Sequence, residues 1–362
     1  MALRDDIKKI WTEAFSDPRE YVDMYFDRVY NDADVIATSV SGHPVSSLLL
    51  QHYRILFHGV EAGCAYIAGA ATRRQMRGKG LMTDLICKAL QASRDRGDML
   101  TAHIPANDPL YFFYDRLGFA TVFYVDPQRY TSLHTFAPDD GIEKYELIDD
   151  IFDSRLWPAF DRMQHNREGM VLHSQRDFLN ILDDLRMDHG RFVAVSDEQG
   201  DVRAMAWATA DESAADGVVT VKELLGDDGE ARKGALRALR VFFPGRPFKL
   251  LAEARGEGRK LYSRGMGRIV NAGLCLEIIA AANPGMSQTI RVYDPILKDN
   301  NRIYRVKDGK VTADDDLGNV AGRQLDLDVD ITTFTKLVFS SPKIGGVTGL
   351  PAERPHISLM LD

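Results

Sequence analysis

A chain of 362 residues with 45 Lys+Arg against 53 Asp+Glu carries a formal net charge of −8. At roughly 100–200 residues per domain it has room for two or three domains, each with its own core. Its 45% hydrophobic and 27% charged residues exclude a disordered or fibrous chain, and the acidic balance argues against a nucleic-acid backbone as the main partner.

In chain order, Ile7, Ile10, Trp11, Ala14 and Phe15 share one helical face until Asp17-Pro18 breaks the run, and Tyr21, Met24, Tyr25 and Val29 mark a second helix. Strand-like runs follow at Val35–Val40, Pro44–Leu50, Tyr53–His58 and Cys64–Thr72. A helix is predicted over Gly80–Arg96, with Gly97 as its C-cap. A strand at Leu100–Ile104, a helix at Asp108–Leu117 and a strand at Phe119–Val125 complete an α+β unit ending near residue 137.

The next stretch runs through a similar order. Helices at 151–164 and 174–187 precede strands at Arg191–Val195, Ala204–Thr209 and Val218–Leu225, a helix at Glu230–Phe243 and a strand at Phe248–Glu253. A third block is predicted to open with a helix, Ile269–Ala282. Strands around Gln288–Val292, Arg302–Val306, Lys310–Ala313 and Gln324–Val329, a helix at Ile331–Phe339 and a Gly/Pro-rich run, Pro342–Pro355, follow it.

No window approaches the roughly 18 apolar residues that a membrane crossing needs, so no membrane contact is expected. Met1–Phe15 has no apolar signal-peptide core. Cys64, Cys87 and Cys275 are too scattered for a disulfide framework or a paired-Cys metal site. A reducing, cytoplasmic location and no metal are the expectations.

Two stretches carry chemistry. Gln75-Met76-Arg77-Gly78-Lys79-Gly80-Leu81-Met82 is a Gly loop between a strand and a helix. Such a loop aims backbone N–H groups at one point on the positive end of a helix, where a pyrophosphate can sit. Glycines at 78 and 80 would equally serve a tight turn with a solvated basic face. Downstream, Asn107 through Phe119 reads NDPLYFFYDRLGF.

Together the loop and this helix resemble the GCN5-related N-acetyltransferase (GNAT) superfamily, whose Q-x-x-G-x-G loop and N-x-x-x-x-x-F-Y-x-x-L-G-F helix are matched by Gln75, Gly78, Gly80, Asn107, Phe113, Tyr114, Leu117, Gly118 and Phe119. The resemblance implies acetyl-coenzyme A as cosubstrate, with its pyrophosphate on the amides of Arg77, Gly78, Lys79, Gly80, Leu81 and Met82. It implies the pantetheine arm along Ala70, Ala71 and Thr72, with Asn107 beside it. Tyr114 falls on the position of the general acid that protonates the departing thiolate, and this role is favoured over that of a core aromatic because the residue matches the motif position.

The end of the sequence, Pro355-His356-Ile357-Ser358-Leu359-Met360-Leu361-Asp362, is unusually apolar, which predicts that it is docked rather than frayed. The three-part order and this tail resemble the Eis-type acetyltransferases. That family has two GNAT lobes in tandem, the second degenerate, and a C-terminal α+β domain resembling sterol carrier protein 2. Gly267-Arg268-Ile269-Val270, Asp294-Pro295, Asn301 and Tyr304 carry the last part of the likeness.

The implied domains are 1–137, 138–262 and 263–362, and the implied base is the α-carboxylate of Asp362. A homo-hexamer is the family's common state. In the second lobe Gly226-Asp227-Asp228-Gly229-Glu230 would repel a phosphate. The expected activity is acetyl transfer to a primary amine of a cationic small molecule or peptide. A non-catalytic protein that binds acetyl-coenzyme A or a lipid is the alternative.

Overall fold

The computed structural model describes residues 3–148, 150–210, 217–254, 260–314, 324–339 and 350–361. Helix α1 (Leu3–Ala14) buries Ile7, Ile10 and Trp11, an i, i+3, i+4 stripe, and α2 (Arg19–Arg28) buries Val22, Tyr25 and Phe26. They share a core with one face of a meander, β1 (Val35–Val40), β2 (His43–Phe57) and β3 (Val60–Thr72). Where two strands were expected, β2 is a single long one. Polar Gln51 suggested a break, but it is buried and donates from Nε2 to Tyr25 Oη at 3.1 Å.

Helix α3 (Leu81–Asp95) packs on the other face through Leu85, Ile86, Ala89 and Leu90. Then come β4 (Leu100–His103), parallel to β3, α4 (Asp108–Asp115) and β5 (Ala120–Tyr130).

The second lobe contains β6 (Glu146–Ile148), α5 (Leu156–His165), β7 (Val171–Leu172), α6 (Gln175–Met187), β8 (Arg191–Ser196), β9 (Val202–Ala210), β10 (Val219–Gly226), α7 (Gly229–Phe242) and β11 (Phe248–Glu253). Alternation in its strands sorts two cores. Val193, Ala204, Ala206 and Val219 share one with α7, while Ala194, Met205 and Trp207 share the other with α5 and α6. The capping box of Ser174 and Asp177 fixes the start of α6.

Strand β12 (Tyr262–Ile269) follows, then α8 (Ala272–Ala282), β13 (Gln288–Tyr293), β14 (Arg302–Lys307), β15 (Lys310–Asp314), β16 (Leu327–Asp330) and α9 (Ile331–Val338). The third block therefore opens with a strand, and its helix starts three residues later than predicted, capped by Asn271 accepting from Leu274 N.

Both lobes share one 12-stranded sheet in the order β1-β2-β3-β4-β12-β5-β11-β10-β9-β8-β6, with β7 pairing off β2. Antiparallel pairing of β5 with β11 joins the lobes. Strand β12 lies between β4 and β5, antiparallel to both, so the first lobe's sheet is completed from far along the chain. Gly265 and Gly267 permit this insertion: a Cβ would sit 3.0 Å from the His103 carbonyl at the first and 3.0 Å from Val122 at the second. The remaining sheet, β15-β14-β13-β16, carries α8 and α9.

Arg268, at the end of β12, is fully buried and locks these parts together. It donates from Nη2 to Asp294 at 2.7 Å and from Nε to the Leu117 carbonyl at 2.9 Å. Asn300 and the amides of Ile296 and Leu297 saturate the Asp294 carboxylate.

Candidate active site

Strands β3 and β4 pair in parallel only from Cys64↔Leu100 to Tyr66↔Ala102. β3 then runs on to Thr72 along β2, whereas β4 stops at His103, so the two edges part. At the parting β3 carries a bulge, because Ser47 pairs Ala71 and Leu49 pairs Ala68. Gly69 and Ala70 lie inside it opposite Leu48, and Gly69 is at φ +56, where a Cβ would lie 2.2 Å from the Trp11 ring. Only glycine allows α1 to close on the strand at this point. Ala70 and Thr72 are half-buried and Ala71 is buried; Thr72 is anchored by Ser46, hydroxyl to hydroxyl at 2.7 Å.

The loop after β3 turns through Arg74–Met76. Glu13 of α1 accepts from the Arg74 amide at 2.7 Å, and Arg77 Nε donates to the Thr72 carbonyl at 3.0 Å. Gly78 (φ +75) and Gly80 (φ +79) are left-handed, and a Cβ at either would meet open space. Gly80 leaves the N-terminus of α3 without a side-chain cap, so its first-turn N–H groups face outward for an external acceptor. Among the described residues, neither Arg77 nor Lys79 forms an ion pair with a carboxylate, and Leu81 and Met82 are half-buried at the helix start.

Gly80→Val should therefore weaken acetyl-coenzyme A binding at least about tenfold in a calorimetric titration. A β-branched residue resists left-handed backbone by roughly 1–2 kcal/mol or more and would turn the amides away. Unchanged affinity would mean that the loop is only a turn.

Tyr114 sits on the α3 side of the parting strands, 5% exposed, in a cluster with Ile67, Leu85 and Phe119. Its ring centroid is 3.7 Å from that of His103, the last residue of β4. Burial pushes the phenol up to about 12, so it stays protonated. Burial likewise pushes His103 down to about 3, leaving a neutral imidazole, and neither ring nitrogen has a partner among the described residues. Asn107 is exposed at the N-cap of α4 and makes no side-chain capping bond. Of the predicted residues, 70–72 and 77–82 run together from the end of β3 through the loop into the start of α3, Tyr114 is buried against His103 at the end of β4, and Asn107 is at the head of the helix that carries Tyr114. Nothing in the sequence singled out His103 beyond its being one of several histidines.

Asp362 lies outside the described residues, as do 340–349 of the Gly/Pro-rich run. The tail before Asp362 is docked. His356 bridges β7 through its backbone, donating to the Gly169 carbonyl at 2.8 Å and accepting from Val171 N at 3.0 Å. Gly169, at φ +74, is pressed against Arg354, whose carbonyl a Cβ would meet at 2.4 Å. Ile357, Leu359, Met360 and Leu361 join the buried cluster that holds Trp11, Tyr25, Tyr66 and Ala68. The tail thus packs on the α1 face of the sheet, opposite α3 and Tyr114.

Its anchor is a buried polar network that the sequence did not reveal. Glu223 of β10 accepts from Arg167 Nη1 at 2.9 Å and contacts His356 Nε2 at 2.8 Å. Burial alone would raise its carboxyl, but Arg167 and His356 outweigh that and hold it well below the usual range. These three residues are far apart in sequence and carry no local pattern.

A second tie has its own pH dependence. Glu353 accepts from the His58 amide at 2.7 Å, and burial, with Glu168 nearby, pushes its carboxyl up to about 7. A folded value above the unfolded one stabilises docking at low pH, and that contribution is lost as pH rises through 7. Amide exchange at Val171 and His356 should therefore quicken from pH 6 to 8 beyond the intrinsic increase, and Glu353→Gln should abolish the excess. An identical excess in the variant would remove Glu353 as its source.

Residues 3–122 match the family of acetyltransferase (GNAT) domains. None of the curated proteins matches the sequence significantly. Among solved structures, Eis1 from Mycobacterium abscessus superposes with a TM-score of 0.71 at 14% identity, over 91% of this chain and 85% of that one. A GCN5-related N-acetyltransferase from Kribbella flavida gives 0.69 at 17% identity, over 100% of this chain and 98% of that one. Another from Anabaena variabilis gives 0.68 at 15%, over 93% and 87%. The chain has the Eis-like tandem GNAT fold, and its first lobe is a GNAT acetyltransferase domain.

Proposed function

We propose that this GNAT acetyltransferase moves the acetyl group of acetyl-coenzyme A directly to a primary amine in the first lobe's opening. The observation that carries the reading is the juxtaposition of an uncapped α3 N-terminus, flanked by Arg77 and Lys79, with the parting of β3 and β4 beside Tyr114. The helix end suits the pyrophosphate, and the edge from Ala70 to Thr72 suits the pantetheine amides, as an added strand would. In the reaction the amine nitrogen forms a bond to the thioester carbon, the carbon–sulfur bond breaks, and Tyr114 donates its phenolic proton to the departing thiolate. The amine's proton goes to a carboxylate, for which the α-carboxylate of Asp362 is the candidate because Leu361, just before it, is buried in the core and not frayed.

The net charge of −8 favours cationic acceptors such as polyamines, aminoglycosides or lysine side chains. The test is thiol release from acetyl-coenzyme A against a panel of these amines. Amine-dependent release is the expected result. Cofactor-induced thermal stabilisation without release from any amine would replace this reading with that of a cofactor sensor.

A further inference from the structure

The second lobe repeats the parted strands of the first. β10 and β11 pair in parallel only from Val219↔Phe248 to Val221↔Leu250. Beyond that point β10 follows β9 to Gly226 and β11 follows β5 to Glu253, and no strand lies between their facing edges among the described residues. A bulge sits at this parting too, between Val221 and Glu223. The gap is a cavity of about 680 Å³ walled by α5 and α7, with Leu224, Leu225, Leu251 and Ala252 from the two strands. That is the usual size of a small-molecule site.

Its chemistry is unlike that of the first lobe. The N-terminus of α7 is already capped, because Asp228 accepts from Ala231 N at 2.8 Å, and Asp227 and Glu230 stand beside it. A phosphate would meet carboxylates where it needs amides. The cations of the cavity are matched internally: Arg162 by Asp227, Arg167 by Glu223 and Glu253, Lys233 by Glu230, and Arg232 by the Gly226 carbonyl. These four cations face the four carboxylates of Asp126, Glu223, Asp227 and Glu253, so the lining presents no net charge. A ligand with a full unpaired charge would have to break one of these pairs.

We propose that this cleft binds a neutral, unbranched amide chain in extended form, lying between β10 and β11 as an added strand. On β10 the Leu224 N–H already donates to Glu223 Oε1 at 2.8 Å and the Gly226 carbonyl accepts from Arg232 Nη1, so the chain would pair chiefly with the β11 edge at Leu251 and Ala252, where backbone groups recur at a spacing that an amide chain matches, and the leucines and Ala252 give its side groups apolar contact. A short peptide segment and a pantetheine-type arm are the two sources of that chemistry. Glu223, one of the residues lining the cleft, also holds His356 of the tail through its carboxylate.

The test titrates capped trialanine and free pantetheine into the full chain, with and without saturating coenzyme A. Saturable binding of at least one probe in the presence of coenzyme A is expected, and whichever binds identifies the source. Ala252→Phe should weaken it at least about tenfold, which is 1.4 kcal/mol or more, while coenzyme A affinity stays at the wild-type value. Should Ala252→Phe misfold, Gly229→Trp projects into the same cleft from a position where a Cβ meets open space. No binding of either probe, binding that survives the cleft-filling variant, or binding abolished by coenzyme A would overturn the proposal.

Discussion

Replacing Tyr114 by Phe is expected to lower kcat by about 10²-fold or more, the usual contribution of a placed general acid, while leaving the Kd for acetyl-coenzyme A unchanged. The ring keeps its contacts with His103, Phe113 and Phe119, so the cluster around it is preserved. Only the phenolic proton is lost. Because burial pushes that group up to about 12, wild-type kcat should show no alkaline decline attributable to Tyr114 below pH 10. A thiol of pKa near 8.5 is readily protonated by a neutral donor at its side. Equal kcat in wild type and variant would return Tyr114 to the role of a core aromatic.

The largest stability effect should come from Asp294→Ala. The carboxylate accepts from Arg268, Asn300 and two backbone amides, and both it and Arg268 are inaccessible to solvent. Removing one member of a buried pair leaves an uncompensated charge, at a cost of about 3–5 kcal/mol. The damage should also reach the first lobe, because Arg268 holds the Leu117 carbonyl just beyond α4, the helix that carries Tyr114. Asp294→Asn keeps acceptor capacity and should cost less. Denaturant unfolding measures both, and a loss under about 1 kcal/mol for the alanine variant would contradict this account of the pair.

Much of the fold was legible because its signals are local. The stripes of α1 and α3, the Gly loop and the repeated element order of the second lobe all lie in short windows with their own period or turn chemistry. Strand β12 was hidden because Ser263-Arg264-Gly265-Met266-Gly267 has little β propensity; it is a strand because β4 and β5 leave a slot between them whose tightest approaches fall at Gly265 and Gly267. The loop and Tyr114 could be read as one site only through a family pattern, since the parting of β3 and β4 is a property of the sheet. Apolar character marked the tail as docked, but the groups that dock it, Arg167 and Glu223 around His356, and His173, whose Nε2 lies 2.9 Å from the Ser358 carbonyl, are visible only in three dimensions. The carboxylates of Gly226–Glu230 were recognised as hostile to phosphate; that Asp228 caps α7 itself could be seen only once the helix start was fixed.

Acetyl-coenzyme A is proposed to bind at the end of β3 and the start of α3 in the first lobe, and not at the counterpart in the second. Hydrogen exchange of the full chain with and without acetyl-coenzyme A tests it most directly. Slowed exchange confined to the amides of 67–72 and 77–82 is the predicted result, with 226–231 unchanged. Protection at 226–231 instead, or none in the first lobe at saturating cofactor, would contradict the account.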